Sequence, residues 1–169
     1  VKAAHRRAIG LAQEAGALIS FDPNVRLPLW ERPEDCQAAI RAFLPFADLV
    51  KLSDDEVEFV TGCKEEREAA RRLFAGGCRM LLVTRGADGA AIYTRGAYAE
   101  TETIPVPVTD TTGAGDSFIG SFLYQLTRDG VTAEQLDRLS EERLASYLQF
   151  SARYASLTVQ RKGAVMATL

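Results

Sequence analysis

Three observations predict an α/β protein built on a layered sheet whose first part is parallel. Short apolar runs alternate along the chain with segments whose apolar residues recur at helical spacing. The runs Ala17–Phe21, Ala47–Leu52 and Met80–Thr84 are each bounded by turn-forming residues, as expected of strands buried on both faces. Helical segments stand between these runs, whereas only the turn Arg85–Gly89 separates the third run from Ala90–Thr94.

The elements follow in order. Ala8, Leu11, Ala12 and Ala15 make Ala4–Ala15 a helix, closed by Gly16. Ala17–Phe21 is a buried strand, and Asp22–Trp30, with two prolines and Asn24, is the loop that leaves it. That loop lies at a strand's C-terminal end, where open α/β sheets bind ligands. Pro33–Phe43 is a second helix and Ala47–Leu52 a second strand. Ser53 and Glu56 then form a capping box that opens a third helix, closed by Gly62. Lys64–Phe74 is a fourth helix, with Ala69, Ala70 and Leu73 on one face. Met80–Thr84 and Ala90–Thr94 form a hairpin, and Tyr98–Val108 is an edge strand because Pro105 and Pro107 cannot sit in a sheet centre. A helix from about Asp116 to Thr127, a short helical piece at Thr132–Asp137 and a long helix at Glu141–Thr158 complete the order. An apolar tail follows Arg161-Lys162-Gly163.

Composition narrows the function. With 169 residues, 47% of them hydrophobic and 25% charged, the chain can build one domain with a core. A net charge of −3 gives no electrostatic reason for nucleic-acid or membrane binding, and no apolar run approaches the ~20 residues that span a bilayer. Cys36, Cys63 and Cys78 form no metal or redox motif, so they read as apolar fillers in a reducing cytoplasm. His5 reads as a solvated helix residue and Trp30 as packing its loop against the core. The chain does not begin with Met, and its first helix starts almost at once, so it reads as part of a longer protein.

The stretch that carries chemistry is Asp110-Thr111-Thr112-Gly113-Ala114-Gly115-Asp116-Ser117-Phe118. Gly113 and Gly115 leave the backbone open to a ligand, and the helix beginning there aims unpaired N–H groups and its positive end at that ligand. The N–H groups of Gly113, Ala114 and Gly115 form an anion cradle, with the Asp116 carboxylate beside it. This pairing suits phosphoryl transfer to a hydroxyl, in which the cradle steadies the charge and Asp116 takes the proton. An approaching phosphate opposes the ionisation of Asp116, so magnesium or cationic side chains are needed. A dinucleotide fingerprint fails, because Phe118 stands where the third glycine should be. A Walker A loop fails, because no Gly-Lys-Ser/Thr follows.

Asp110–Asp116 resembles the C-terminal signature of the ribokinase-like carbohydrate kinases (the phosphofructokinase B type). Four further blocks agree in order: Phe21–Trp30, similar to a fructokinase loop; Lys51–Gly62, similar to the acidic magnesium-related block; Leu82–Gly89, similar to the nucleotide turn; and Arg161–Val165, similar to the end of such kinases. The resemblance covers essentially the whole chain and implies the C-terminal part of a three-layer α/β/α ribokinase-like domain, without its lid and sugar-binding part. It implies Asp116 as the catalytic base with Gly113, Ala114 and Gly115 as anion hole. It places Thr84, Gly86 and Gly89 at the nucleotide, and Asn24 and Arg26 near the transferred phosphate. It gives Glu56 the Mg²⁺–water shell, and Asp110 and Thr112 a monovalent cation such as K⁺. Ser53 stands where many relatives have Asn, and Ser151–Ala155 stands where relatives carry an Asn-Ala pair at the adenine. The implied activity is ATP-dependent phosphorylation of a sugar hydroxyl, with fructose the leading candidate. A 2-keto-3-deoxygluconate kinase and a silent binding module are the alternatives. A homodimer of the full-length protein is implied, and little sugar kinase activity is expected of this chain alone.

Overall fold

The computed structural model describes residues 2–164; Val1, and Val165 with the apolar tail after it, lie outside the described residues. Five strands form one sheet in chain order: β1 (Ser20–Phe21), β2 (Leu49–Ser53), β3 (Met80–Thr84), β4 (Ala90–Thr94) and β5 (Tyr98–Thr101). The pairs β1–β2 and β2–β3 are parallel, and β3–β4 and β4–β5 antiparallel. Helices α1 (Lys2–Glu14), α2 (Pro33–Arg41), α3 (Asp54–Thr61), α4 (Glu66–Ala75), α5 (Ala114–Arg128) and α6 (Glu141–Thr158) complete the architecture.

The strand period of two explains the layers. Val50, Leu52, Leu81, Val83 and Ala91 point to one face and pack with Cys36 and Ile40 of α2, Val57 and Val60 of α3, and Ala69, Ala70 and Leu73 of α4. Leu49, Met80, Leu82 and Ile92 point to the other face and pack with Phe118 and Phe122 of α5 and Leu144, Tyr147 and Leu148 of α6. Two cores back to back make the three-layer α/β/α arrangement. Asp129 ties α5 to α6, pairing with Arg128 and Arg143 and accepting from the Tyr147 hydroxyl. The three cysteines are buried and free, and burial pushes the Cys78 thiol up to about 11.

Several expectations change. The first strand shrinks from Ala17–Phe21 to Ser20–Phe21 and is half-buried, because it lies at the sheet's edge. The Ile19 N–H goes to the Asp48 carboxylate (2.9 Å) instead of extending the ladder. The edge strand Tyr98–Val108 ends at Thr101, since the Thr103 hydroxyl bonds the Gly86 carbonyl (2.8 Å) and draws the next residues over the turn. The first helix has no buried residue, and Leu11 is exposed. Trp30 does not pack into the core but is 38% exposed. His5 is exposed, with its ring edge-on to Phe43. Among the described residues, no helix is long and apolar enough to cross a membrane.

Leu82→Ala should cost about 2–5 kcal/mol in denaturant unfolding, whereas Leu11→Ala, on a bare helix, should change stability by less than about 0.5 kcal/mol. The bonds from Arg128 and Tyr147 hold the Asp129 carboxyl down to about 2. Its folded value lies below its unfolded one, so its contribution is full above the ordinary carboxylate range and fades as pH falls toward about 2. The difference in Tm between the wild type and Asp129→Asn should therefore shrink over that interval.

Candidate active site

The C-terminal ends of β2 and β3 open into a cavity of about 720 Å³. Its walls come from the loop after β1, the start of α3, the turn after β3, the segment after β5, the first turn of α5 and the facing side of α6.

Glu56 organises the floor. In the capping box of α3 its Oε2 accepts the Ser53 N–H at 2.9 Å, and its Oε1 accepts the Val25 N–H at 2.6 Å. One nearly buried carboxylate therefore caps the start of α3 and pins the loop after β1 against it. That loop turns through Asn24, a non-glycine residue with φ of 44°. Asn and Asp tolerate this left-handed conformation better than other side chains. Asn24 and Arg26 both line the cavity and are exposed.

The turn after β3 is held from several sides. The Arg85 N–H bonds the Gly89 carbonyl (2.8 Å), and its guanidinium forks onto Glu66 while also reaching Glu100. Tyr93 donates to the same Glu66 oxygen, and burial next to that carboxylate pushes the phenol up. Gly89 has φ of 94°, and a Cβ there would lie 1.9 Å from the Thr101 carbonyl oxygen. Only glycine fits there, and Thr84, Gly86 and Gly89 all line the cavity.

Gly113 caps α5 in the left-handed region, and the first turn of α5 carries Ala114, Gly115 and Asp116. The amides of Gly115 and Asp116 have no intrahelical acceptor in that turn. The Ala114 N–H, by contrast, already bonds the Thr111 carbonyl at 3.1 Å, so the three-amide cradle is not open as it stands. Ala114 and Gly115 line the cavity, while Asp116 stands exposed just outside it. The cavity is thus bordered by the candidate base and does not enclose it.

Asp110 has a structural role. Its Oδ1 accepts the Thr112 N–H and its Oδ2 the Gly163 N–H, each at 2.9 Å. The Thr112 hydroxyl, then the Thr112 and Gly163 amides, hold its carboxyl below the usual range. Residues after α6 are thereby folded onto the signature loop, and a Cβ on Gly113 would meet Ala164 at 3.0 Å. This accounts for the Arg161–Ala164 part of the terminal block.

The far wall is apolar, made of Ile104, Pro105, Val106, Val108, Phe118, Ala152, Ala155 and Val159. Ser151, within the segment that departs from relatives, is fully buried and bonded by Gln125; its neighbours Ala152 and Ala155 reach the cavity.

Two functional candidates escape the motif reading. Lys51 is buried, lines the cavity and pairs with Asp22 at 3.1 Å. Asp22 Oδ1 is buried with no hydrogen-bond partner, and burial raises the Asp22 carboxyl against the pull of Lys51. A lysine inside an apolar strand run is the available signal. Among the described residues, no three His, Cys, Asp or Glu side chains cluster as a metal site. Glu56, with Asp54 and Asp55 beside it on the cavity wall, suits a hydrated Mg²⁺, which keeps several waters and uses one or two carboxylates plus substrate phosphates.

Residues 2–168 match the pfkB family of carbohydrate kinases. Fructokinase-2 of Solanum lycopersicum is 41% identical over 98% of this chain and 49% of its own length. The structure of a fructokinase from Xylella fastidiosa with bound ATP is similar, with a TM-score of 0.85 and 34% identity over 94% of this chain and 50% of that one. A fructokinase from Vibrio cholerae O395, bound to fructose, ADP and calcium ion, is similar at a TM-score of 0.81 and 30% identity, over 96% of this chain and 51% of that one. The chain spans about half the length of these relatives.

Glu56→Ala would leave two backbone amides unmet, at about 1–3 kcal/mol each. Hydrogen exchange at Val25 and Ser53 should accelerate in that variant, and an unchanged Val25 amide would contradict the pinning of the loop.

Proposed function

The chain belongs to the pfkB family of carbohydrate kinases, and from that premise we propose that it supplies the nucleotide and phosphoryl-transfer half of an ATP-dependent sugar kinase acting on fructose. The observation that carries this reading is the cavity itself. An apolar slot from Ile104 to Val159 suits a purine, and it leads to the first turn of α5, where free amides meet an anion. Asp116 borders the phosphate end of that slot.

In this mechanism the Gly115 and Asp116 amides and the positive end of α5 hold the γ-phosphoryl group in line. The Ala114 amide joins them only by giving up the Thr111 carbonyl. Asp116 accepts the sugar hydroxyl proton as the new P–O bond forms. Arg26, exposed on the loop that Glu56 pins, offers a planar fork to the phosphates. Glu56 would help hold the water shell of Mg²⁺, which when bound neutralises phosphate charge. Asp110 and Thr112 remain the proposed neighbourhood of a monovalent cation, with Asp110 shaping the loop. We assign the enzyme to the cytoplasm and its sugar contacts to residues outside this chain; a homodimer of the full-length protein belongs to the same proposal.

A 2-keto-3-deoxygluconate kinase is the alternative, so the full-length protein should be assayed on both sugars. Faster turnover on fructose is the expected outcome. Asp116→Asn in the full-length protein should lower turnover by about 10²–10⁴-fold, the usual scale for general-base loss. Calorimetric ATP affinity should stay within about threefold, since the amides that hold phosphate are intact. Near-normal turnover would sink the assignment.

A further inference from the structure

We propose that Lys51 is a phosphate-contacting catalytic residue, and that Asp22 holds its ammonium in place until a phosphate arrives. This rests on the sugar kinase reading above.

Lys51 is out of place by composition. It sits on β2 in register with Leu82, on the strand face that otherwise supplies Leu49, Leu82 and Ile92 to the core under α5 and α6. Lysine is almost never buried this deeply without a partner. Its partner, Asp22, satisfies it incompletely, since one Asp22 oxygen meets nothing. A buried ion pair with an unmet oxygen is a poor stabiliser, and an apolar pair of similar volume would commonly do as well. The pair therefore calls for a reason beyond stability.

The geometry supplies one. A Cβ on Gly115 would lie 3.2 Å from Lys51 Nζ, so the ammonium reaches up beneath the open backbone of the α5 first turn. A glycine there both exposes the amide and makes room for the lysine. Lys51 also lines the cavity, so its ammonium is within reach of an occupant. The charge balance of the walls needs it: Asp54, Asp55 and Glu56 line the cavity against only Arg26 and Lys51. A polyphosphate entering there meets more carboxylates than cations. A compact ammonium shared between a carboxylate and the cradle can turn to the phosphate without moving the backbone.

In the transfer step the bond from phosphorus to the ADP oxygen breaks, the bond to the sugar oxygen forms, and the proton goes to Asp116. Lys51 gives up no proton; it neutralises charge on the phosphoryl oxygens.

The test is calorimetry on the full-length protein in EDTA, with ATP, ADP and adenosine as probes. Lys51→Met should weaken ATP and ADP by about 10- to 100-fold, the scale of one charge-assisted hydrogen bond, and leave adenosine within about twofold. Asp22→Asn, which frees the ammonium, should bind ATP as well as the wild type or better. Should Lys51→Met fail to fold with Asp22 left alone, the charge-neutral Asp22→Asn/Lys51→Met pair should show the same selective loss. Equal losses for adenosine and ATP, or no loss for ATP, would overturn the proposal. A wild type that binds ATP but leaves both sugars unphosphorylated would defeat the sugar kinase reading while leaving the Lys51 result standing. A wild type that binds no ATP would overturn both.

Discussion

The cavity depends on one carboxylate that serves two backbone segments at once. Glu56 accepts an amide from its own helix cap and another from a loop thirty-one residues earlier in the chain. Without it, two N–H groups would be left without partners and the loop after β1 would lose its hydrogen bond to α3. With it, Asn24 and Arg26 share a rim with the start of α3, and Asp22 is set against Lys51. A charged acceptor suits this double duty because its bonds to N–H groups are stronger than those of a neutral one. The side chain that resembles a metal-shell residue is also a structural clasp, so its electrostatic and mechanical roles are joined.

The layers are legible in the sequence for a simple reason. Apart from Lys51 and the polar strand ends, β2, β3 and β4 are apolar on both faces, and the helices before β2 and β3 carry their stripes at regular spacing. Glu141–Thr158 is readable to its ends because Ser140 caps it and its apolar face is buried. The departures gather where tertiary contacts replace local ones. The first strand reads too long because Asp48 intercepts the Ile19 amide, a side-chain event no local pattern records. The fifth reads too long because Thr103 leaves the ladder for Gly86. Within the candidate site, Gly89 and Gly113 stand out in the sequence because close backbone approach leaves no room for a side chain there. Lys51 and Asp22 do not: they lie twenty-nine positions apart and only the parallel pairing of β1 with β2 brings them together.

Exposure is uneven across the structure. β1 is half-buried, α1 has no buried residue and Asp116 faces solvent. The apolar lining of the cavity, by contrast, is gathered from the segment after β5, from α5 and from α6. The proposed function assigns the nucleotide to that lining.

The sheet order, with every strand paired to its neighbour in sequence, bears on how the molecule is made. Each pairing forms with the segment just completed, so the sheet can grow strand by strand behind an emerging chain with little loop-closure cost. The phosphate cradle obeys a different schedule. Gly115 meets Lys51 across sixty-four positions, and the signature loop is fastened only when Gly163 reaches Asp110. The cavity mouth is therefore completed late in assembly, and any ligand that binds only the finished cavity would shift the folding equilibrium by mass action. Such a ligand would act as a folding aid.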